Sequence, residues 1–382
     1  MNTLNIIYLR SNPVDPDSRV EKEVNALLKA GHSIKILAWD RSSKYRYKKA
    51  TLRFENGDAE IYRFGIQATF GGGMKKNLLP LLKFQLSIYQ WLKKNINSFD
   101  AIHACDFDTA YTSSKIAHKY QKKFIYDIFD YYVDAFNVPS RIKALIEKKD
   151  HAIINHADAV IVCTEKRKEQ IAGTNPRKLV IIHNTPPNYD GEELGTLNLS
   201  KDKVKIVYVG ILDEGRLIRE TAEIVKSNLD YEYHVAGFGR LAPLLEEMSI
   251  KYDNIFFYGK IPYNQTLELE YNCDIMTALY DPQNPNNYYA APNKFYEALM
   301  LGKPLIMVKD TGMDDIVEKN KIGVVIDYNS KSLADGLSRI IDEMNTWSEI
   351  SEKMRELYAN NYNWVEMEKR LIKLYRGLEN DD

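Results

Sequence analysis

The sequence predicts an α/β protein of two domains, each a mostly parallel sheet covered by helices on both faces. Three observations predict it. Short β-branched apolar runs alternate with longer helical patterns along nearly all of the 382 residues. A polar, unperiodic stretch over residues 187–203 interrupts that alternation near the middle. The same strand–helix pattern then restarts at Val204.

In the first domain, residues 1–186, the run Asn5-Ile-Ile-Tyr-Leu9 reads as a strand. Asp17-Ser18 reads as the N-cap of a helix over 20–30, which Gly31 ends before a strand over 33–38. Further strands are expected at 60–64, 101–105, 123–127, 159–163 and 179–183, with helices over 78–96, 108–120 and 141–156. After the linker, 187–203, the second domain covers 204–361. Its strands are expected at 204–209, 232–236, 255–258, 275–278, 304–308 and 323–326, with late helices over 332–344 and 347–359. Residues 362–382 hold a last amphipathic helix with Trp364, Met367, Leu371, Leu374 and Leu378 on one side.

Composition removes several function classes. A net charge of −1 provides no global field for nucleic acid, so none is expected as a partner. Cys105, Cys163 and Cys273 are too far apart for a disulfide framework or a Cys-x-x-Cys metal site. Met1–Arg10 enters a strand at once, without the basic-then-apolar pattern of a signal peptide, and no uncharged run is long enough to cross a bilayer. A cytoplasmic location is expected.

The richest chemistry lies in Ala290-Ala-Pro-Asn-Lys-Phe-Tyr-Glu-Ala-Leu-Met-Leu-Gly-Lys-Pro-Leu-Ile306. A turn leads into a short helix carrying one acid, Glu297; Gly302 stops the helix, and a buried strand follows. Unpaired amides at a helix N-terminus suit a diphosphate, and a carboxylate nearby can accept both hydroxyls of a ribose.

This segment resembles the nucleotide-sugar site of retaining GT-B glycosyltransferases, the group 1 and family-four-like enzymes. Pro292-Asn-Lys-Phe-Tyr-Glu297 is similar to a family variant with Pro-Ser/Asn-Lys before Phe/Leu-x-Glu. Tyr208-Val-Gly-Ile-Leu-Asp-Glu-Gly-Arg216 is similar to the family element Val-Gly-Arg-Leu followed by Lys-Gly. The resemblance implies two facing Rossmann-like domains with the active site in the cleft between them. It implies Glu297 on the donor ribose, Gly210 at the family glycine, and Arg216 at the family lysine that holds the diphosphate. Gly237 and Gly239 are then expected near the donor, Lys260 and Ile261 near the base, and Asn293 and Lys294 with the donor nucleotide. Tyr289, Ala290, Ala291 and Pro292 are expected to line the donor sugar. Two family positions differ: Ile211 stands for an arginine, and Tyr289 for the first acid of a Glu-x7-Glu pair.

In the first half, Asp100-Ala-Ile-His-Ala-Cys-Asp-Phe-Asp108 ends a strand where the family places residues beneath the reacting sugar. Tyr126-Asp-Ile-Phe-Asp130 resembles the family Tyr-Asp-x-His-Glu. Arg19, His103, Asp106 and Asp130 are the acceptor-side candidates, and Asp106, Arg216 and Glu297 the candidate catalytic set. The expected reaction is retaining transfer of a sugar from a nucleotide diphosphate sugar, UDP-sugar favoured, to a glycan or polyprenyl-linked acceptor. No metal or other cofactor is expected, since protein cations and helix amides can stabilise the leaving diphosphate.

Gly237-Phe-Gly-Arg-Leu-Ala242 also matches a dinucleotide fingerprint, but the next strand ends in Gly259-Lys260 without the acid a dehydrogenase needs. A catalytically silent nucleotide-sugar-binding protein is the first alternative, favoured by Ile211 and Tyr289; a sugar-nucleotide epimerase is the second. Finally, no acid occurs between Ile61 and Phe99, where Lys75, Lys76, Lys83, Lys93 and Lys94 lie. Lys83, Ser87, Gln90 and Lys94 share a helix face opposite Leu81, Leu82, Phe84, Ile88, Tyr89 and Leu92, after the flexible Gly71-Gly-Gly73. Such a helix suits an anionic membrane surface.

Overall fold

Four consecutive apolar residues, Ile6 to Leu9, make β1 (Asn5–Arg10) the buried centre of the first sheet. The computed structural model describes residues 3–69, 73–136, 138–188, 194–195, 197 and 199–379. They divide into two units: Met1–His183 with Glu366–Asp382, and Asn184–Val365.

In the first unit β1 is followed by α1 (Ser18–Lys29), β2 (Ser33–Asp40), β3 (Tyr45–Phe54), β4 (Gly57–Gly65) and α2 (Gly73–Lys94). Then come β5 (Ala101–Cys105), α3 (Phe107–Lys119), β6 (Lys123–Ile128), α4 (Tyr132–Ala135), α5 (Ser140–His156), β7 (Ala159–Val162), α6 (Arg167–Gln170) and β8 (Leu179–Ile181). The sheet order is β3-β4-β2-β1-β5-β6-β7-β8, parallel throughout except for the β3–β4 pair. Asp17 caps α1 as expected, its side chain accepting the Val20 amide. Strand β3 is the element the sequence reading lacks. Its Lys/Arg-rich residues are nearly all exposed, so no apolar run marks it; its antiparallel ladder to β4, the Tyr45–Asp40 bond and the packing of Tyr47 on Tyr62 and Phe64 hold it.

Helix α2 departs from its expected faces. Phe84, Ile88 and Leu92 are buried, but Leu82 and Tyr89, expected among them, are exposed. Leu79 is 62% exposed and Leu86 is 54% exposed, so the outer face carries leucines as well as lysines. Of the glycines before it, Gly71 and Gly72 lie outside the described residues, as does the side chain of Lys75.

The second unit runs β9 (Val204–Ile211), α7 (Ile218–Lys226), β10 (Tyr231–Phe238), α8 (Ala242–Lys251), β11 (Ile255–Phe257), α9 (Tyr263–Asn272) and β12 (Ile275–Ala278). It continues with α10 (Pro285–Tyr288), α11 (Asn293–Leu301), β13 (Leu305–Val308), α12 (Asp314–Asn320), β14 (Gly323–Ile326), α13 (Ser330–Asp342) and α14 (Trp347–Leu357). All six strands are parallel in the order β11-β10-β9-β12-β13-β14. That is a doubly wound sheet whose order reverses between β9 and β12, where such sheets bind ligands beyond the carboxyl ends of the strands.

A π-helical turn at Tyr358–Tyr362 leads to α15 (Trp364–Glu379), which from Glu366 onward is part of the first unit. Met367, Leu371, Leu374, Tyr375 and Leu378 are buried there. The helix is tied to that unit by Lys29–Glu368 at 2.7 Å and by the Tyr375 hydroxyl, 2.8 Å from His103 Nδ1.

Candidate functional site

In the second unit, Pro292 precedes α11, and among the described residues no side chain caps the helix; the Phe295 amide turns back to the Pro292 carbonyl at 3.0 Å, while the positive dipole end faces the start of the helix and suits an anion. Gly302 ends the helix in the left-handed conformation, at φ 67°. Lys294, one residue into the helix, is buried with its ammonium 4.8 Å from the Tyr208 ring centroid. Burial works against the charge, but Tyr208 and Tyr280, with Glu297, outweigh it and hold the ammonium above its ordinary pKa. Arg216, from the loop after β9, stacks 4.6 Å from the Tyr280 centroid. Burial again opposes, and the Tyr208 and Tyr280 phenols prevail. Two cations from distant parts of the sequence therefore meet at one pair of tyrosines. Ile211, at the family arginine position, is exposed and apolar.

The glycine positions explain how the strands allow this. Gly210 has φ 150°, and a Cβ there would lie 3.3 Å from the Lys294 Nζ. Gly237, paired with Gly210 across β9 and β10, has φ 139°, and a Cβ on it would collide with the Gly210 carbonyl. Gly239 follows at the end of β10.

Glu297 lies one turn beyond Lys294 on α11, buried, and accepts a hydrogen bond from the Tyr263 hydroxyl at 3.0 Å. Tyr263 is 46% exposed as a residue, yet its hydroxyl turns inward; burial, then Glu297 and Glu270, push its pKa up. Around this core, Asn293 is exposed and accepts from Asn184 Nδ2 at 2.8 Å. Lys260 is exposed beside the Phe238 ring, and Ile261 is partly buried. Tyr289 packs edge-on against Tyr288 at 4.8 Å, Ala290 and Ala291 are partly buried, and Pro292 is buried.

The first unit treats its candidates differently. Asp106 follows β5 with φ 62°, a strained value for a non-glycine residue. Its Oδ1 accepts the amides of Phe129 at 2.9 Å and Asp130 at 3.0 Å, while Oδ2 accepts from Arg10 at 2.5 Å. Burial pushes its pKa up to about 7 against the pull of Arg10, with Asp130 and Asp108 adding to the rise. Its oxygens join the ends of β1, β5 and β6. Arg10 also bonds Asp17 at 2.9 Å and stacks on Phe129 at 4.2 Å.

Arg19 and His103, two more of the acceptor-side candidates, are buried. Arg19 is buried, bonded to Glu23 at 2.9 Å and Asp127 at 2.8 Å. His103 is sealed between Tyr8, stacked at 4.3 Å, and Tyr375, with Nε2 3.4 Å from Asp127. Asp130, 48% exposed at its side chain and 3.2 Å from Arg167, keeps an accessible carboxylate. His103, Cys105 and Asp127 place potential metal ligands within 4.8 Å of one another. The donor set does not fit a cation, since the Arg19 guanidinium already occupies Asp127 and burial pushes the Cys105 thiol up.

Arg10, Tyr208, Tyr263 and Tyr280 were missed as site residues. No local motif marks them; each gains its meaning only from a partner far along the sequence.

The family model described as Glycosyltransferase Family 4 matches residues 19–185, and the one described as Glycosyl transferases group 1 matches residues 192–372. An uncharacterized glycosyltransferase of Methanocaldococcus jannaschii is 19% identical over 303 residues, 74% of this chain and 76% of that one. A glycogen synthase of Thermodesulfovibrio yellowstonii is 33% identical over 82 residues, but the match spans 21% of this chain and only 16% of that protein. Among solved structures, sucrose-phosphate synthase from Thermosynechococcus elongatus superposes with a TM-score of 0.75 at 16% identity, covering 99% of this chain and all of that one. Anabaena HepE in complex with UDP gives 0.66 at 12% identity, covering 98% and 100%. With the two family models dividing the chain between them and the fold matched end to end, the protein belongs to the GT-B glycosyltransferases.

Proposed function

We propose that this glycosyltransferase takes its sugar from a nucleotide diphosphate donor held by the second unit, with Arg216, Lys294 and the α11 amides on the diphosphate and Glu297 on the ribose. The observation that carries this is the meeting of Arg216 and Lys294 beside Tyr208 and Tyr280, one helical turn from the buried Glu297. Gly210 and Gly237 keep backbone close to that point, and Lys260 with Ile261 lies toward the base. A UDP-sugar is the favoured donor. Anabaena HepE has been solved with UDP and UDP-glucose, and an E. coli trehalose-6-phosphate structure with UDP-2-fluoro glucose, which supports that choice.

Transfer retains configuration. The bond from the anomeric carbon to the diphosphate oxygen breaks, and an acceptor hydroxyl attacks from the same face. Its proton passes to the departing phosphate oxygen, so no carboxylate nucleophile is needed at Tyr289. The protein cations stabilise the charge that develops on the diphosphate, which makes the reaction metal-independent. The acceptor is a glycan or polyprenyl-linked sugar of surface polysaccharide synthesis, met at the cytoplasmic face of a membrane. The exposed Leu79, Leu82 and Leu86 beside Lys76, Lys83 and Lys94 on α2 support that peripheral attachment.

Nucleotide release from UDP-, GDP- and dTDP-sugars, measured with EDTA and with added manganese, tests the reading. Turnover of a UDP-sugar that EDTA leaves unchanged is expected. Binding without turnover of any donor and acceptor would favour the silent alternative that Ile211 and Tyr289 suggest. Activity lost to EDTA and restored by manganese would contradict the role given to the cations.

A further inference from the structure

Glu270 is a buried acid with no part in the site as described so far. It lies near the carboxyl end of α9, 1% exposed, and among the described residues neither of its carboxyl oxygens meets a hydrogen-bond donor. An ionised carboxylate left so bare is strongly disfavoured, whereas a carboxylic acid is tolerated. Helix α9 packs on α11, which brings Glu270 into the field of Glu297 and Lys294. Tyr263 on its own helix and Cys273 just past the helix end are other titratable groups that feel its charge. Burial and then Glu297 hold its pKa far above the usual carboxylate range, and Lys294 only partly offsets them.

Charge balance gives this a consequence. One ammonium can offset one carboxylate in a buried cluster; a second carboxylate would leave an uncompensated anion beside the place assigned to the diphosphate. It would also draw Lys294 away from an incoming phosphate. We propose that Glu270 is a positioning residue of the nucleotide site that works as a neutral acid. It holds a proton against Glu297, leaves Lys294 to the diphosphate, and makes nucleoside diphosphate binding take up protons at alkaline pH. The proposal rests on the donor site assigned above.

The test is calorimetric titration of UDP into the full chain and into Glu270→Gln, which keeps a neutral group of the same size. Once the pH is alkaline enough for Glu270 to ionise in the free protein, the wild-type affinity should fall up to about tenfold per pH unit more steeply than that of the variant. Subtracting one protein from the other removes the ligand's own titration. In alkaline buffers of different ionisation enthalpy within that falling range, the wild type should take up protons on binding UDP and the variant should not. Equal pH slopes and equal proton uptake would overturn the proposal. Infrared difference spectra supply a readout without ligand: a protonated-carboxyl band at neutral pH should vanish in Glu270→Gln, or in Glu270→Met if the first variant does not fold. No change in that band would also overturn it. Absence of UDP binding by the wild type at every pH would instead overturn the donor-site reading and its link to Glu270, while the band would still report the proton.

Discussion

The Tyr263 hydroxyl donates to Glu297 at 3.0 Å, joining the first residue of α9 to the one acid of α11. Glu297 is thereby oriented before any ligand arrives. Replacing it with Ala should weaken nucleoside and nucleoside diphosphate alike by about 1–3 kcal/mol, the range for hydrogen bonds to a charged group. Tyr263→Phe should cost about 1 kcal/mol or less, because it loosens the carboxylate without removing it. Calorimetry that finds unchanged affinity in a folded Glu297→Ala protein would remove the residue from the ribose.

Asp150 gives a prediction about stability. It is buried on α5, accepts the Tyr126 hydroxyl at 2.7 Å, and has its pKa pushed up to about 7 by burial, opposed by that hydrogen bond and assisted by Glu147. For an acid raised in the folded state, the stabilisation is fully present below its unfolded value near 3.8 and is lost as pH rises to about 7. Asp150→Asn, which never ionises, should therefore match the wild type at acid pH and exceed it above neutrality by on the order of 3 kcal/mol. Denaturant melts with the same difference at both pH values would show that the carboxyl is not strained by its burial.

The outer face of α2 should bind anionic vesicles at low salt. Each surface lysine contributes about 1 kcal/mol near such a membrane, and the exposed leucines add apolar area. Charge reversal at Lys76, Lys83 and Lys94, or Ser at Leu79, Leu82 and Leu86, should each release the protein in flotation assays and leave UDP binding intact. A wild-type protein that ignores the vesicles would make this a solvated face.

The fold was legible in the sequence because its strands are buried on both faces, and runs such as Ile6–Leu9 or Leu305–Val308 need no partner to be recognised. Strand β3 was not, because Arg46, Lys48 and Lys49 look like loop residues until β4 pairs with them. At the site, Glu297 and Lys294 share a helix with a recognisable lead-in, and Arg216 follows a glycine-bearing strand end. Tyr208, Tyr263, Glu270 and Tyr280 stayed hidden because burial and charge come from tertiary packing. The surroundings of His103 and Arg19 stayed hidden for the same reason: an isolated ionisable residue in a strand or at a helix start does not reveal that Tyr8 and Tyr375 sandwich the one and Asp127 pairs with the other.

The most direct test of the central claim is to titrate UDP and uridine separately into the wild type, Arg216→Ala and Lys294→Met. Both cations are assigned to the diphosphate, so each variant should lose about 1.5–3 kcal/mol for UDP and almost nothing for uridine. Equal losses for the two ligands, or none for either, would place the diphosphate elsewhere and contradict the account.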